Sequence, residues 1–503
     1  MKKSFGLSAC LLIGSLCVRA ELMELATPES QGVPSAAISA FINACERKYA
    51  GGPEGALHGF VIVRHGKTIA EGSWKPFNTL ENTHMLYSHS KSFTSTAIGF
   101  LVDEKNLDLD DHVVEIFPDL APAKPSEHLR QLRVRDLLTM TVGMHRTDAE
   151  SNDIAGDWVK AFLNNTIEDA PGTHFRYDSC ATHVLAAIVE RKTGERMMDY
   201  LKRRLFDKIG IRKQWSTCSP TGIACGGWGM NMTTREQARF GQLYLQQGLW
   251  NGEQILSTNW VRMATSYQTD TERKNGGDWG QGYGFQFWRC HHNAYRADGA
   301  MGQYTIVMPD QDAVVSINSG LGNMQGVLSL VWDHLLPAFK ETSLAPDEKA
   351  CATLRAKCAA LVLAPPTTTA AAGNDAFFGR VFEFKDNKHG VKSVRFDRAT
   401  SGGWICTLVL PAGPQKVPVG RGSWAKGRMR MDGAMPYEAL SGYVSEYDVA
   451  AAAGVKGNGD FVARIYLTST PADFALTIRC DKNGAPVISG NFTAMGGHKL
   501  EMK

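Results

Sequence analysis

A mixed α/β (α+β) body followed by a smaller all-β domain is predicted by three features of this 503-residue chain. Strand-like runs stand at both ends of a largely helical stretch. A Pro/Thr/Ala-rich segment, residues 364–373, then interrupts the pattern. Beyond it the apolar period becomes two, the period of half-buried strands.

Lys2 and Lys3 precede a short apolar run at 5–18, and Val18 and Ala20 are small enough for cleavage after Ala20. This reads as a signal peptide. The run is too short to span a membrane, so a periplasmic or secreted protein with no integral membrane segment is expected. Residues 59–63 and 68–70 read as strands joined by a turn at His65-Gly66-Lys67. Helical spacing follows at 180–191 and 196–206, with Gly194 between. Strand character returns at 285–288, 304–308 and 313–317, then a helix at 327–336. Beyond the linker, 381–384, 391–396, 404–410, 461–468, 474–480 and 486–492 read as strands. The expected units are a signal peptide (1–20), a main α/β body (21–345), a linker (346–375) and an all-β accessory domain (376–503), barrel or sandwich.

A net charge of +3 with no long basic run excludes a nucleic-acid groove. No H-E-x-x-H, C-x-x-C, P-loop or G-x-G-x-x-G occurs, so no metal and no cofactor is implied. His291-His292 reads as a loop, because neighbours on a strand point to opposite faces. Removing Cys10 and Cys17 with the signal peptide leaves an odd number of the 11 cysteines. Cys218–Cys225 and Cys406–Cys480 are conceivable bridges, and free core cysteine is the simpler reading.

The chemistry concentrates at Tyr87-Ser88-His89-Ser90-Lys91, just ahead of the apolar positions Phe93, Ala97, Ile98, Phe100 and Leu101. Residues i and i+3 share a helix face, so the Lys91 amine can reach the Ser88 hydroxyl. Serine becomes a useful nucleophile once a base removes its proton. Burial and a helix N-terminus both favour the neutral amine that would do so. A second Ser-x-x-Lys, Ser423 to Lys426, lies among glycines and reads as a turn. His84 and His89 flank the serine, but the lysine already supplies a base. The absence of Gly-x-Ser-x-Gly disfavours an α/β-hydrolase.

Five further landmarks follow in order: Val134-Arg135-Asp136-Leu137-Leu138-Thr139-Met140-Thr141-Val142-Gly143, Pro171-Gly172-Thr173-His174-Phe175-Arg176-Tyr177-Asp178-Ser179, Gly226-Gly227-Trp228-Gly229-Met230, Tyr283-Gly284-Phe285-Gln286-Phe287-Trp288 and Ala297-Asp298-Gly299-Ala300-Met301-Gly302-Gln303. Together they resemble the serine β-lactamase-related family: class C β-lactamases, D-alanyl-D-alanine carboxypeptidases, certain esterases and 6-aminohexanoate-dimer hydrolases. The resemblance implies a β-lactamase/transpeptidase-like three-layer sandwich, an antiparallel sheet flanked by helices plus a helical subdomain, with Ser88 at their junction. It implies Ser88 as nucleophile, Lys91 as general base and Tyr177 as acid/base, its phenol lowered by the neighbouring ammonium. The N–H groups of Ser88 and Ala300 would form the oxyanion hole. Two positions depart from the family. Ser179 replaces the Asn of Tyr-x-Asn, and Ala297 replaces the Lys or His of the Lys/His-x-Gly motif. With Gly299 and Gly302 they are the substrate-pocket candidates. Arg296 is no easy substitute, since alternation turns it away from the cleft.

The reading is an exported serine hydrolase that acts through an acyl-enzyme on a small-molecule carboxylic ester or small amide. A β-lactamase or D,D-carboxypeptidase is the rival, with Ala297 against it. A non-catalytic binding protein is the alternative of another class, its C-terminal domain holding cell wall or glycan. Substrate choice is expected in the loops around 148–158 and 268–279.

Overall fold

The computed structural model describes residues 23–52, 55–145, 156–368, 377–400, 402–432, 445–493 and 498–503. The expected signal peptide, the 148–155 part of one candidate loop and residues 369–375 of the linker lie outside them.

Seven antiparallel strands form the first sheet: β1 (Ala50–Gly52), β2 (Gly55–Arg64), β3 (Lys67–Ser73), β4 (Trp288–Arg289), β5 (Tyr295–Gly299), β6 (Gln303–Met308) and β7 (Ala313–Leu321). Their order is β1-β2-β7-β6-β5-β4, with β3 also on β2. The two ends of the body meet at the centre of the sheet, where Ile62 opposes Val315. His65 and Gly66 take φ of 49° and 72°, the left-handed pair that a tight hairpin between right-twisted strands needs.

β2 is buried along nearly its whole length because both faces are covered. Phe60 and Ile62 pack toward Phe41 and Ile42 of α1 (Ser35–Lys48). Val61 and Val63 join Phe93 of α2 (Ser90–Asp103) and Phe240 of α4 (Thr234–Leu245). Helix α3 (Ser179–Thr193) packs on α2. Asp178 caps α3 by accepting from the Cys180 N–H at 2.7 Å, and Thr233 with Glu236 forms a capping box on α4. The result is the expected sandwich, a sheet between two helical layers.

Three expectations change. Residues 285–288 are not a strand: the chain kinks at Gln286 (φ 65°), and only Trp288–Arg289 pairs. The Gln286 side chain donates to Leu137 O and Leu138 O at 3.1 and 2.8 Å and accepts from Thr182 at 2.7 Å. Those three bonds hold the bend. Within 346–375, residues Glu348–Ala360 form helix α5, whose Leu354 joins the α1 side of the core. The C-terminal region has strands that lacked a clear period: Gly413–Arg421, Ala425–Arg430, Glu446–Val455 and His498–Glu501.

That region is all-β, one ten-stranded sheet around its own core. Lys385 N–H donates to Glu501 O at 2.8 Å and Lys503 N–H to Glu383 O at 3.0 Å, joining first strand to last. The sheet thereby closes on itself as a barrel, first strand against last. It packs directly on the first sheet. Trp424 donates to Leu363 O at 2.8 Å, and the Tyr466 ring lies 5.2 Å from Phe77. Cys45, Cys218, Cys290, Cys351, Cys358 and Cys406 are thiols.

Candidate active site

Ser88 lies in a 3-10 turn (Tyr87–His89) that runs straight into α2. The preceding Tyr87 holds φ at 48°, uncommon for a residue with a side chain. Its neighbours fix it: Met85 N–H donates to Ser469 O of the barrel at 2.9 Å, and Leu86 N–H to Met230 O at 3.0 Å.

Lys91, one helical turn on, is 1% exposed. Its Nζ lies 3.1 Å from Ser88 Oγ, 2.9 Å from Ser179 Oγ and 2.7 Å from Gly227 O. Ser179 comes from the first turn of α3, aimed by the Asp178 cap. The Gly227 carbonyl reaches the amine because Gly226-Gly227 threads between helices. A Cβ at 226 would meet Thr94 Oγ1 at 2.7 Å and Ala186 Cβ at 2.9 Å. A neutral amine can donate to Gly227 O and Ser179 Oγ and turn its lone pair to the Ser88 hydroxyl.

Tyr177 brings its hydroxyl to Ser88 and Trp288. The Lys91 Nζ lies over the ring face, 4.8 Å from the centroid. Burial raises the phenol's pKa well above its ordinary value, and the Ser88 hydrogen bond only partly opposes this. The sequence reading expected a lowered phenol; desolvation outweighs the neighbouring charge, so Tyr177 is a neutral phenol at physiological pH. Trp288 stacks on Tyr177 at 5.5 Å, and Phe175, Tyr283 and Met140 complete the aromatic wall. The 134–143 segment props this wall: Arg176 N–H donates to Met140 O at 2.8 Å and Gly172 N–H to Thr141 O at 2.7 Å.

Strand β5 ends beside the serine turn. A Cβ at Gly299 would lie 2.0 Å from Leu86 O and 3.2 Å from His89 N, so only glycine permits this approach. Ala300, next in the chain, follows at the strand end and is half-buried. Ala297 is 1% exposed and packs in the core that holds Leu86, Phe93 and Phe287, so it presents no surface to the cleft. Gly302 (φ 85°) is buried against Ser319, whose hydroxyl donates to Gly302 O at 2.8 Å. Arg296 is on the opposite face from Ala297, fully buried, its Nε 2.8 Å from Asp298. It sits over Trp279 at 4.5 Å.

Both flanking histidines are buried away from the chemistry. Burial lowers His89 to about 3. His84 falls to about 4, again through burial, and its Nε2 is 2.9 Å from His58 Nδ1. His291 pairs with Asp278 at 3.1 Å, and among the described residues no group of three or more His, Cys, Asp or Glu is placed to hold a metal. Ser423 is exposed in a turn. Three groups at the site carried no signal of their own: the Gly227 carbonyl, Trp288 and Asp298. Each stands in a quoted landmark, but backbone carbonyls and wall residues are not distinguishable by residue type.

Residues 28–324 match the Beta-lactamase family model. The chain is 29% identical to 6-aminohexanoate-dimer hydrolase of Paenarthrobacter ureafaciens over 40% of its own length and 55% of that protein. It is 28% identical to D-aminopeptidase of Brucella anthropi over 35% of each. The matched stretch thus spans about half, or less, of these relatives. The octameric penicillin-binding protein homologue from Pyrococcus abyssi aligns over 93% of this chain and 99% of its own, at 14% identity and a TM-score of 0.49. With a family model matched over more than half its residues, the chain belongs to the β-lactamase family of serine hydrolases.

Proposed function

We propose that this protein hydrolyses a small amide or carboxylic ester through an acyl-enzyme on Ser88. The observation that carries this is the Lys91 amine, 3.1 Å from Ser88 Oγ and held on two other sides by Ser179 and Gly227 O. In this reading Lys91 takes the Ser88 proton as Oγ attacks the carbonyl. The N–H groups of Ser88 and Ala300 receive the developing oxyanion. Tyr177, protonated and bonded to Ser88, delivers a proton to the leaving group, replaced from the Lys91 ammonium. Water then repeats the sequence on the acyl-enzyme. Two relatives named for amide or peptide bonds weight the choice toward amides. The remaining parts of the proposal are export through the 1–20 signal peptide, division into 21–345 and 376–503, and a barrel that contacts cell wall or glycan.

The test is p-nitrophenyl butyrate hydrolysis by the mature protein and by Ser88→Ala. Loss of turnover in the variant supports the acyl-enzyme. Equal rates, or none in either, count against Ser88 and favour a binding protein.

A further inference from the structure

A groove of about 800 Å³ opens between β3, helix α5 and the barrel, and none of the serine-site residues lines it. Backbone bonds tie its walls together. Lys75 N–H donates to Leu361 O at 3.1 Å, and Leu363 N–H donates to Lys75 O at 2.7 Å. Trp424, on the turn between barrel strands Gly413–Arg421 and Ala425–Arg430, donates to Leu363 O at 2.8 Å and rests 5.2 Å from the Tyr466 ring. Gly72 lets the end of α5 close on β3, since a Cβ there would meet Leu361 Cδ1 at 2.6 Å. The groove is therefore built into the seam between body and barrel.

Its floor is apolar. Ile69, Phe77 and Leu354 are buried beneath it, with Leu80 and Trp424 half-buried. Among the described residues five large apolar side chains are exposed, and two of them, Leu25 (76%) and Val362 (49%), stand in this lining. Exposed apolar surface gathered around a concave site of ligand size marks a place for an apolar group. The charged side chains of the lining are Lys75, Arg355, Lys426 and Glu71. Glu71 is engaged by Arg235, whose Nε lies 2.8 Å away. The three cations are exposed and, among the described residues, make no hydrogen bond or ion pair. Lys426 belongs to the second Ser-x-x-Lys, which the serine chemistry leaves unused.

We propose that this groove binds an amphiphilic anion, a carboxylate carried on an alkyl chain. The chain would lie on the floor of Ile69, Phe77, Leu354 and Trp424, and the carboxylate among Lys75, Arg355 and Lys426. Apolar burial supplies the affinity, and the cations select the sign of the head group. A bilayer surface is flat, so it would meet the rim cations and leave the recessed floor unfilled. The occupant is therefore a free amphiphile. This site stands apart from the Ser88 reading and does not depend on it.

Isothermal titration calorimetry of the mature protein with decanoate, octanoate and decyltrimethylammonium tests the assignment. Decanoate is expected to bind about tenfold tighter than octanoate, as two more buried methylenes predict. It should also bind at least about tenfold tighter than the cation of equal chain length. Ala359→Trp, which sets an indole into the groove, should abolish decanoate binding. The triple variant Lys75→Gln, Arg355→Gln, Lys426→Gln should bring the two ten-carbon ligands to within about twofold of each other. All four positions are exposed, so urea midpoints should match the wild type. Should Ala359→Trp shift its midpoint, the triple variant carries the test. No binding of decanoate up to about 1 mM overturns the proposal. So does equal wild-type affinity for the two head charges, or a preference for decanoate that survives the triple variant. Decanoate binding that persists in a stable Ala359→Trp places the ligand elsewhere and overturns it too. Capture by phosphatidylglycerol vesicles without binding of free decanoate overturns it in favour of a membrane surface.

Discussion

Lys91 differs from a surface lysine in being fully enclosed and met by three oxygen atoms. Lys91→Met should lower kcat on p-nitrophenyl butyrate by about 10²–10⁴-fold with KM nearly unchanged, as removal of a group acting in the transition state predicts. A loss confined to KM, read from full saturation curves, would instead make the lysine a binding group. Tyr177 gives a sharper contrast. Its phenol stays protonated, so it suits proton delivery more than proton abstraction. Tyr177→Phe is expected to slow amide hydrolysis by about 10²-fold or more. Nitrophenyl esters should suffer far less, since nitrophenolate leaves without help. Equal losses on both substrates would remove the leaving-group role. Ser88 and Lys91 were legible because i, i+3 spacing is local. The direction of the Tyr177 shift was not, because desolvation depends on Trp288, Tyr283 and Asp298, which are distant in sequence.

Strand β5 shows what alternation along an element can and cannot tell. It correctly separated Ala297 from Arg296, but it could not say that the Ala297 face is closed by α2 and α4. Ala297→Lys would therefore bury an ammonium among Tyr295, Phe287 and Leu86. Its expected effect is destabilisation by at least about 3 kcal/mol, from uncompensated charge burial, with no gain in penicillin acylation. Chemical denaturation and acylation kinetics on the same variant check both parts. Gly299→Ala places a methyl against Leu86 O, so β5 must withdraw from the serine turn. We expect kcat to drop at least about tenfold, since one misplaced oxyanion donor costs about 2.7–4 kcal/mol. An unchanged kcat in steady-state assays would mean that the strand end does not serve the oxyanion. The 285–288 kink is the same lesson in reverse. Its apolar residues satisfy a strand pattern, and the bend is imposed by carbonyls of Leu137 and Leu138 that the pattern does not contain.

Four buried histidines couple the assembled protein to pH. Burial depresses His84 and His183 to about 4, His89 to about 3, and His58 well below its ordinary 6.5. Because the folded values lie below the unfolded one, the stability they contribute is present above pH 6.5 and is lost as pH falls. His84, His89 and His183 each cost about 2 kcal/mol by pH 5, and His58 acts in the same direction. Urea midpoints should therefore drop markedly between pH 7.5 and 5 at constant ionic strength. An unchanged midpoint would count against four neutral imidazoles. His58 and His84 sit where the barrel meets the catalytic segment, beside Tyr466 and the Met85–Ser469 hydrogen bond, so the same acid loss should reach activity.

The amino-acid order fixes the local matters: the Ser88–Lys91 pair, the helix caps, the hairpin at His65-Gly66 and the change of period after residue 373. These depend on neighbours within a few residues, where spacing and φ preference act directly. It also carries the succession of landmarks that marks the family. Closure of the barrel, the burial of Ala297, the raised phenol of Tyr177 and the approach of Gly227 to Lys91 come from long-range packing. Each depends on which distant groups exclude water or fill a space, and desolvation and steric fit are properties of the folded volume rather than of any stretch of chain.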